Sequence, residues 1–213
     1  MLQVKCFTFN PISENTYVVW DSESRECAII DAGNSSPAEN EELQGFIQQE
    51  NLQVKHLLAT HLHFDHAFGI RFVAQTFDVP LSAHRGDEFL LEHFSRQAEL
   101  FGIQAGSAPS PIGKYIEEGD NIAIGEYTLT TLHVPGHSPG SIVYYCARAG
   151  VLFVGDVLFR NSIGRTDLWG GNFNTLIDGI NKKILTLPDS TVIYSGHGAP
   201  TDIGYEKDHN PYI

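Results

Sequence analysis

Short strand-like runs open the chain: Val4 to Phe9, Thr16 to Trp20 and Cys27 to Ile30, divided by polar turns, predict a β-meander. Asp31-Ala32-Gly33-Asn34 breaks that pattern, and Ser36-Pro37 supplies an N-cap followed by proline at the first helical position. The helix predicted from there to about Gln49 places Leu43, Phe46 and Ile47 at i, i+3 and i+4, with Glu41, Glu42 and Gln48 on its wet face. Val54 to Thr60 is the next strand. A helical stretch begins at Ala67 and runs to about Ala74, with Phe68, Phe72 and Phe77 near one face, and Val79 to Ala83 returns as a strand. Gly86 to Phe101 is predicted as one further helix with Phe89, Leu90, Phe94 and Leu100 as its apolar side.

From Gly102 to Gly113 the composition shifts to Gly, Ala, Ser and Pro, which predicts a loop between two halves of a single domain covering residues 1–213. The second half repeats the order of the first. Asn121 to Ile124, Tyr127 to Val134, Ser141 to Cys146 and Val151 to Val154 are strand-like, Phe173 to Ile184 is helical, and Thr191 to Tyr194 is a last strand. Strands grouped in each half, with helices after them, predict an α/β fold of two sheets packed face to face with helices outside, because neither sheet can otherwise cover its second face.

Charge narrows the partners. With 26 acidic against 13 basic residues and a formal charge of -13, the surface field repels phosphodiester backbones and anionic lipid, so neither nucleic acid nor membrane is an expected partner. Met1-Leu2-Gln3-Val4-Lys5 lacks the basic-then-apolar pattern of a signal peptide, and no apolar run reaches the ~18 residues of a membrane helix. A cytoplasmic location is the expectation. Cys6, Cys27 and Cys146 are odd in number and widely spaced, which predicts free buried thiols in place of a disulfide framework.

Candidate chemistry is concentrated in Thr60-His61-Leu62-His63-Phe64-Asp65-His66, three imidazoles and a carboxylate directly after the apolar Leu57-Leu58-Ala59. These are the donors that zinc, iron and manganese accept; His61 and His63, ending a strand, aim at one point, while Asp65 and His66 turn toward a second. A solvated His-rich turn is the plain alternative. Against it stand three more ligand-type residues that each follow a strand: His137 in Pro135-Gly136-His137-Ser138, Asp156 after Val151–Gly155, and His197 in Ser195-Gly196-His197-Gly198. Glycines beside each let the backbone turn sharply at the strand ends. His84 and His93 have no partner at ligand spacing and read as surface or hydrogen-bonded residues.

His61-x-His63-x-Asp65-His66 with His137, Asp156 and His197 resembles the metallo-β-lactamase superfamily over nearly the whole chain. That resemblance implies an αββα four-layer sandwich and two divalent metal ions, zinc first and iron or manganese as alternatives. His61, His63 and His137 would hold one ion, Asp65, His66 and His197 the other, and Asp156 would bridge both. Asp156 in place of a cysteine resembles the glyoxalase II branch and departs from the true β-lactamases. The ending from Thr201 to Tyr212 resembles the short, single-domain glyoxalase II-like hydrolases of bacteria, without the helical extension of the longer enzymes.

The implied activity is thioester hydrolysis of a small 2-hydroxyacyl, glutathione-type substrate. Two nearby cations lower the pKa of a shared water and polarise a carbonyl, Asp65 orients the nucleophile, and a thiolate leaves with little help from a general acid. Arg165 falls where glyoxalase II carries a cation for the glutathione part; the alternative is that it merely pairs with Asp167 or another surface acid. The run Gly164-Arg165-Thr166-Asp167 also resembles the persulfide dioxygenases, which use a single iron. A lactone hydrolase shares the ligand set, and a metal-binding scaffold without turnover is the non-enzymatic alternative.

Overall fold

β1 (Leu2–Phe9), β2 (Glu14–Asp21) and β3 (Glu26–Ile30) form the antiparallel meander the opening runs predict, and the computed structural model, which describes residues 1–213, extends it by three parallel strands. β4 (Gln53–Leu58), β5 (Leu81–Ala83) and β6 (Ile112–Tyr115) complete a sheet in sequence order. β7 (Asn121–Ile124), β8 (Tyr127–His133), β9 (Ile142–Cys146) and β10 (Val151–Gly155) run antiparallel in a second sheet. A separate hairpin of β11 (Leu158–Phe159) and β12 (Ser162–Ile163) follows. β13 (Val192–Ser195) then joins β10 in parallel, and β14 (Thr201–Asp202) closes that edge.

All eight residues of β2 are buried. Successive strand side chains point to opposite faces, so a strand buried at every position has to be covered on both sides. Tyr17 and Val19 face the second sheet, in a core with Leu129, Tyr144 and Phe153, while Val18 and Trp20 belong to the core under the helices. β3 divides the same way, Ala28 and Ile30 inward, Cys27 and Ile29 outward. The outward core is covered by α1 (Pro37–Gln49) through Leu43 and Ile47, by α2 (Ile70–Phe77) through Ile70 and Val73, and by α3 (Glu88–Glu92) and α4 (Phe94–Leu100) through Leu90, Phe94 and Ala98. On the far side, Val143, Leu152, Val154 and Ile193 of the second sheet pack on Leu176, Ile180 and Ile203 of α5 (Phe173–Gly179), the π-turn Ile180–Ile184 and α6 (Ile203–His209). Helices, sheet, sheet and helices make the αββα sandwich. Leu57→Ala, emptying a fully buried site in this stack, would cost about 2 to 5 kcal/mol.

α1 starts as its sequence predicts. Ser36 accepts the Glu39 N–H at 3.3 Å and the Glu39 carboxylate accepts the Ser36 N–H at 3.0 Å, a reciprocal cap worth about 1 kcal/mol. Other boundaries differ from expectation. The stretch 86–101 is broken at His93, and the Leu90 carbonyl near the break accepts the Gln97 side-chain amide at 2.7 Å. Leu100, expected in the core, is 67% exposed; the buried positions of α4 are Phe94, Gln97 and Ala98 instead. α2 begins at Ile70, not Ala67, since Phe64–His66 forms a short 3-10 turn first. The 102–113 segment ends in β6, still within the first sheet, so the chain crosses between sheets at residues 116–120. The thiols are free, but Cys6 is exposed. No helix is long and apolar enough to cross a membrane.

Candidate metal centre

β3, β4, β8, β10 and β13 all deliver their C-terminal ends to one edge of the sandwich, and each is followed directly or within a short turn by an acid or a histidine. The two sheets are fastened there: the Ile142 N–H donates to the Thr60 carbonyl (2.7 Å), the Tyr17 hydroxyl to the Ser195 carbonyl (2.6 Å) and the Asn15 N–H to the Gly196 carbonyl (2.7 Å). Residues from both sheets are thereby held at contact distance. Gly196 is one place where only hydrogen fits: a Cβ there would run into Asp156 Oδ1 and lie 2.6 Å from His66 Cε1.

His61, His63 and His137 form one group. His137 Nε2 stands 2.8 Å from His63 Nδ1 and 3.2 Å from His61 Nε2, with all three residues buried. Asp65, His66 and His197 form a second, with Asp65 Oδ2 at 3.1 Å from His197 Nε2 and 3.7 Å from His66 Nε2. Asp156 lies between the groups. Its Oδ1 is 3.4 Å from His66 Nε2, and its Oδ2 is 3.6 Å from His137 Nε2 and 3.7 Å from His197 Nε2. All seven side chains lie together at this edge, and His84 and His93 stay outside, His84 stacked on His133 and His93 edge-on to Trp169.

Hydrogen bonds behind the rings decide which nitrogens carry protons. Thr60 gives its hydroxyl proton to Asp31 Oδ2 (2.6 Å) and so accepts from His61 Nδ1 (3.1 Å). His66 Nδ1 donates to Asp31 Oδ2 (3.1 Å), His137 Nδ1 to the Arg165 carbonyl (2.8 Å) and His197 Nδ1 to the Ser13 carbonyl (3.1 Å). In the neutral tautomers this leaves four Nε2 lone pairs facing inward. Those of His61 and His137 face each other at 3.2 Å, and a single proton from His63 cannot satisfy both. His66 Nε2 and Asp156 Oδ1 are buried without any hydrogen-bond partner. Converging lone pairs and carboxylate oxygens are what divalent cations require, so the donor set fits metal ions.

Electrostatics separates the groups. Burial first, then the neighbouring imidazoles, drives His61 well below its ordinary value and His63 to about 3, and burial also lowers His137. That trio is neutral. In the second group burial opposes ionisation of Asp65 and Asp156, but His66 and His197 hold both carboxylates below the usual range; the same carboxylates raise His66 and His197 against the effect of burial.

A cleft of about 580 Å³ opens over these residues, with His63, Asp65, His137, Asp156 and His197 in its floor and an apolar wall that includes Phe101 and Trp169. Arg165 lines it, and the structure places its fork on Asp167, Nε to Oδ1 at 2.7 Å and Nη2 to Oδ2 at 2.8 Å. The expected substrate cation is thus engaged in the ion pair that was its alternative. Arg160, which sequence reasoning passed over, lines the same cleft with its guanidinium 4.5 Å from the Tyr205 ring centroid and in no ion pair.

Asp31 was also missed as part of the site. Its Oδ1 accepts the Thr60 N–H at 2.6 Å, and Oδ2 takes the Thr60 hydroxyl and His66 Nδ1, so its oxygens are committed behind the rings although it lies within ligand range of His61 and His66. The signal was present: an acid directly after a buried strand, the pattern that pointed to Asp156.

Comparison with known proteins follows the same pattern. The chain is 36% identical over 213 residues to the hydroxyacylglutathione hydrolase GloC of Haemophilus influenzae, covering 100% of this chain and 98% of the relative. It is 38% identical over 206 residues to the probable metallo-hydrolase YqgX of Bacillus subtilis, covering 95% and 93%. Among solved structures it is similar to the BLEG-1 B3 metallo-beta-lactamase (TM-score 0.89, 38% identity, 99% of both chains) and to TTHA1623 in a di-iron-bound form (TM-score 0.87, 33% identity, 98% and 100%). The family model of the metallo-beta-lactamase superfamily matches residues 10–197. With its fold, its His/Asp cluster and these matches, the chain belongs to the metallo-beta-lactamase superfamily.

Proposed function

We propose that this protein is a metal-dependent thioesterase of the glyoxalase II kind, cleaving a 2-hydroxyacyl thioester whose thiol portion carries carboxylates, as glutathione does. The observation that carries the reading is Asp156, whose two oxygens reach His66 on one side and His137 and His197 on the other. His61, His63 and His137 would hold one ion, Asp65, His66 and His197 a second, and Asp156 would touch both, offsetting their mutual repulsion. Bound there, two divalent ions lower the pKa of a shared water and polarise a carbonyl.

The chain's own residues supply orientation. Asp65, anionic and in the floor of the cleft, can accept a hydrogen bond from a water beneath the substrate carbonyl and fix its direction of attack. No acid beyond the ligands is needed to release a thiolate, whose conjugate thiol has a pKa of about 8.5, far below that of an alcohol or amine. The relative GloC, similar over both full chains, supports this substrate class. The similarity to a B3 metallo-beta-lactamase favours a second reading, hydrolysis of a β-lactam, which is also acyl transfer to water.

Purified protein with its metals quantified is assayed on a 2-hydroxyacylglutathione, a β-lactam, a lactone and a glutathione persulfide. Thiol release from the first substrate, well above the other rates, is expected. Oxygen uptake with the persulfide and no thioesterase activity would replace the reading with a dioxygenase.

A further inference from the structure

We propose that Asp87 is the positioning residue of the three-imidazole group, a buried carboxylate that sets the distance between the His61/His63 segment and the His137 loop. The inference rests on the metal-binding reading above. Asp87 is 1% exposed and hydrogen-bonds to none of the seven ligand residues. Its Oδ2 accepts the N–H of Leu62, the residue between His61 and His63, at 3.1 Å and the hydroxyl of Ser138, the residue after His137, at 2.7 Å. Its Oδ1 accepts the Gly140 N–H at 2.6 Å.

The two segments need such a tie. His61 and His63 follow β4 of the first sheet, and His137 follows β8 of the second, so no strand pairing fixes their separation. Besides Asp87, two bonds from β9 reach the end of β4, the Ile142 N–H to the Thr60 carbonyl and the Tyr144 hydroxyl to the Ala59 carbonyl (2.7 Å each), but neither comes from the loop that carries His137, which they leave free to shift. Three donors on one carboxylate, from both segments, remove that freedom. Contact is close enough to exclude a side chain at Gly140, where a Cβ would lie 2.7 Å from Asp87 Cγ. The turn that presents Asp87 is itself fixed, since His84 Nδ1 accepts the Gly86 N–H at 3.1 Å.

A carboxylate buried beside no ion-pair partner is expensive to keep, and burial pushes Asp87 up to about 6 while its three donors pull the other way. An apolar residue would leave all three donors buried and unpaired, and an amide would offer them one oxygen and turn its NH2 toward a donor. An ionised acceptor with strong, short bonds serves a site in which ligand atoms must be held to within about 0.5 Å.

The test is zinc affinity by chelator competition, measured in His197→Ala protein, which keeps the three-imidazole group, and in His63→Ala protein, which keeps the other. Adding Asp87→Asn should weaken zinc binding by about 10- to 100-fold in the first background and leave it unchanged in the second. Ser138→Ala, which removes one donor and leaves the carboxylate, should give a smaller loss in the same background, and decides the matter if Asp87→Asn does not fold. Equal weakening in both backgrounds, or none in either, overturns the inference while a wild type holding two zinc ions leaves the proposed function standing. A wild type that takes up no zinc overturns both.

Discussion

Arg165 holds Asp167 through two nearly parallel hydrogen bonds at the rim of the cleft, and that pair determines what either residue can do for a substrate. The hydrogen bonds from Arg165 lower Asp167 from 3.8 to about 2. A depressed carboxyl contributes its pairing in full above 3.8 and loses it as pH falls through about 2, so the pair stays closed throughout the neutral range. Both side chains are exposed, and the pair adds little to stability.

If the substrate is the proposed carboxylate-bearing thioester, Arg160, which lines the cleft in no ion pair, is the better placed receptor for it. Arg160→Ala is expected to raise KM about tenfold for a thioester with a charged thiol portion, with kcat nearly unchanged, and to have no effect on an uncharged one. Arg165→Ala should change KM less than Arg160→Ala does. Steady-state kinetics on the two thioesters checks both, and the reverse ranking would return the substrate contact to Arg165.

Asp87 makes stability depend on pH in a direction opposite to that of most carboxylates. Its folded value of about 6 exceeds the ordinary 3.8, so between those values the folded chain keeps a proton that the unfolded chain releases. Stability from this group falls as pH rises from about 4 to 6, by about 3 kcal/mol in all. Urea melts of metal-free wild type and Asp87→Asn at pH 4.5 and pH 7 should show the wild type losing ground to the variant at the higher pH.

Much of this was legible in the sequence because the fold repeats one local rule: a strand buried at its C-terminal end, then a turn, then a ligand-type residue. His61, Asp156 and His197 follow that rule, and strands such as β2 and β3, apolar on both parities, required layers on both sides. Asp87 was not legible. Its helix-like surroundings gave no hint, and its partners Leu62, Ser138 and Gly140 lie 25, 51 and 53 residues away. Arg160 escaped for a different reason, since its place in the cleft depends on Tyr205 of α6, in a tail whose packing no periodicity reveals. The break at His93 was also invisible, because apolar spacing stays nearly continuous across it while the His93 backbone (φ -106°, ψ 15°) leaves the helical range.

Gly196→Ala would place a methyl against Asp156 Oδ1 and His66 Cε1. Turnover and metal content should both fall, by about 10- to 100-fold for turnover. Gly45→Ala is the control: it lies inside α1 with nothing near its Cβ, and should stabilise the protein by about 0.5 to 1 kcal/mol without touching activity. Melting curves and assays on the two variants separate a loss at the site from a loss of fold.

The claim that Asp156 joins two ion-binding groups is tested most directly by the metal-to-protein ratio, read by native mass spectrometry for wild type, Asp156→Ala and His197→Ala. The account predicts close to two ions in the wild type, loss of both together in Asp156→Ala, and one retained in His197→Ala. One iron in the wild type with no second ion after metal supplementation, or the same partial loss in both variants, would contradict it.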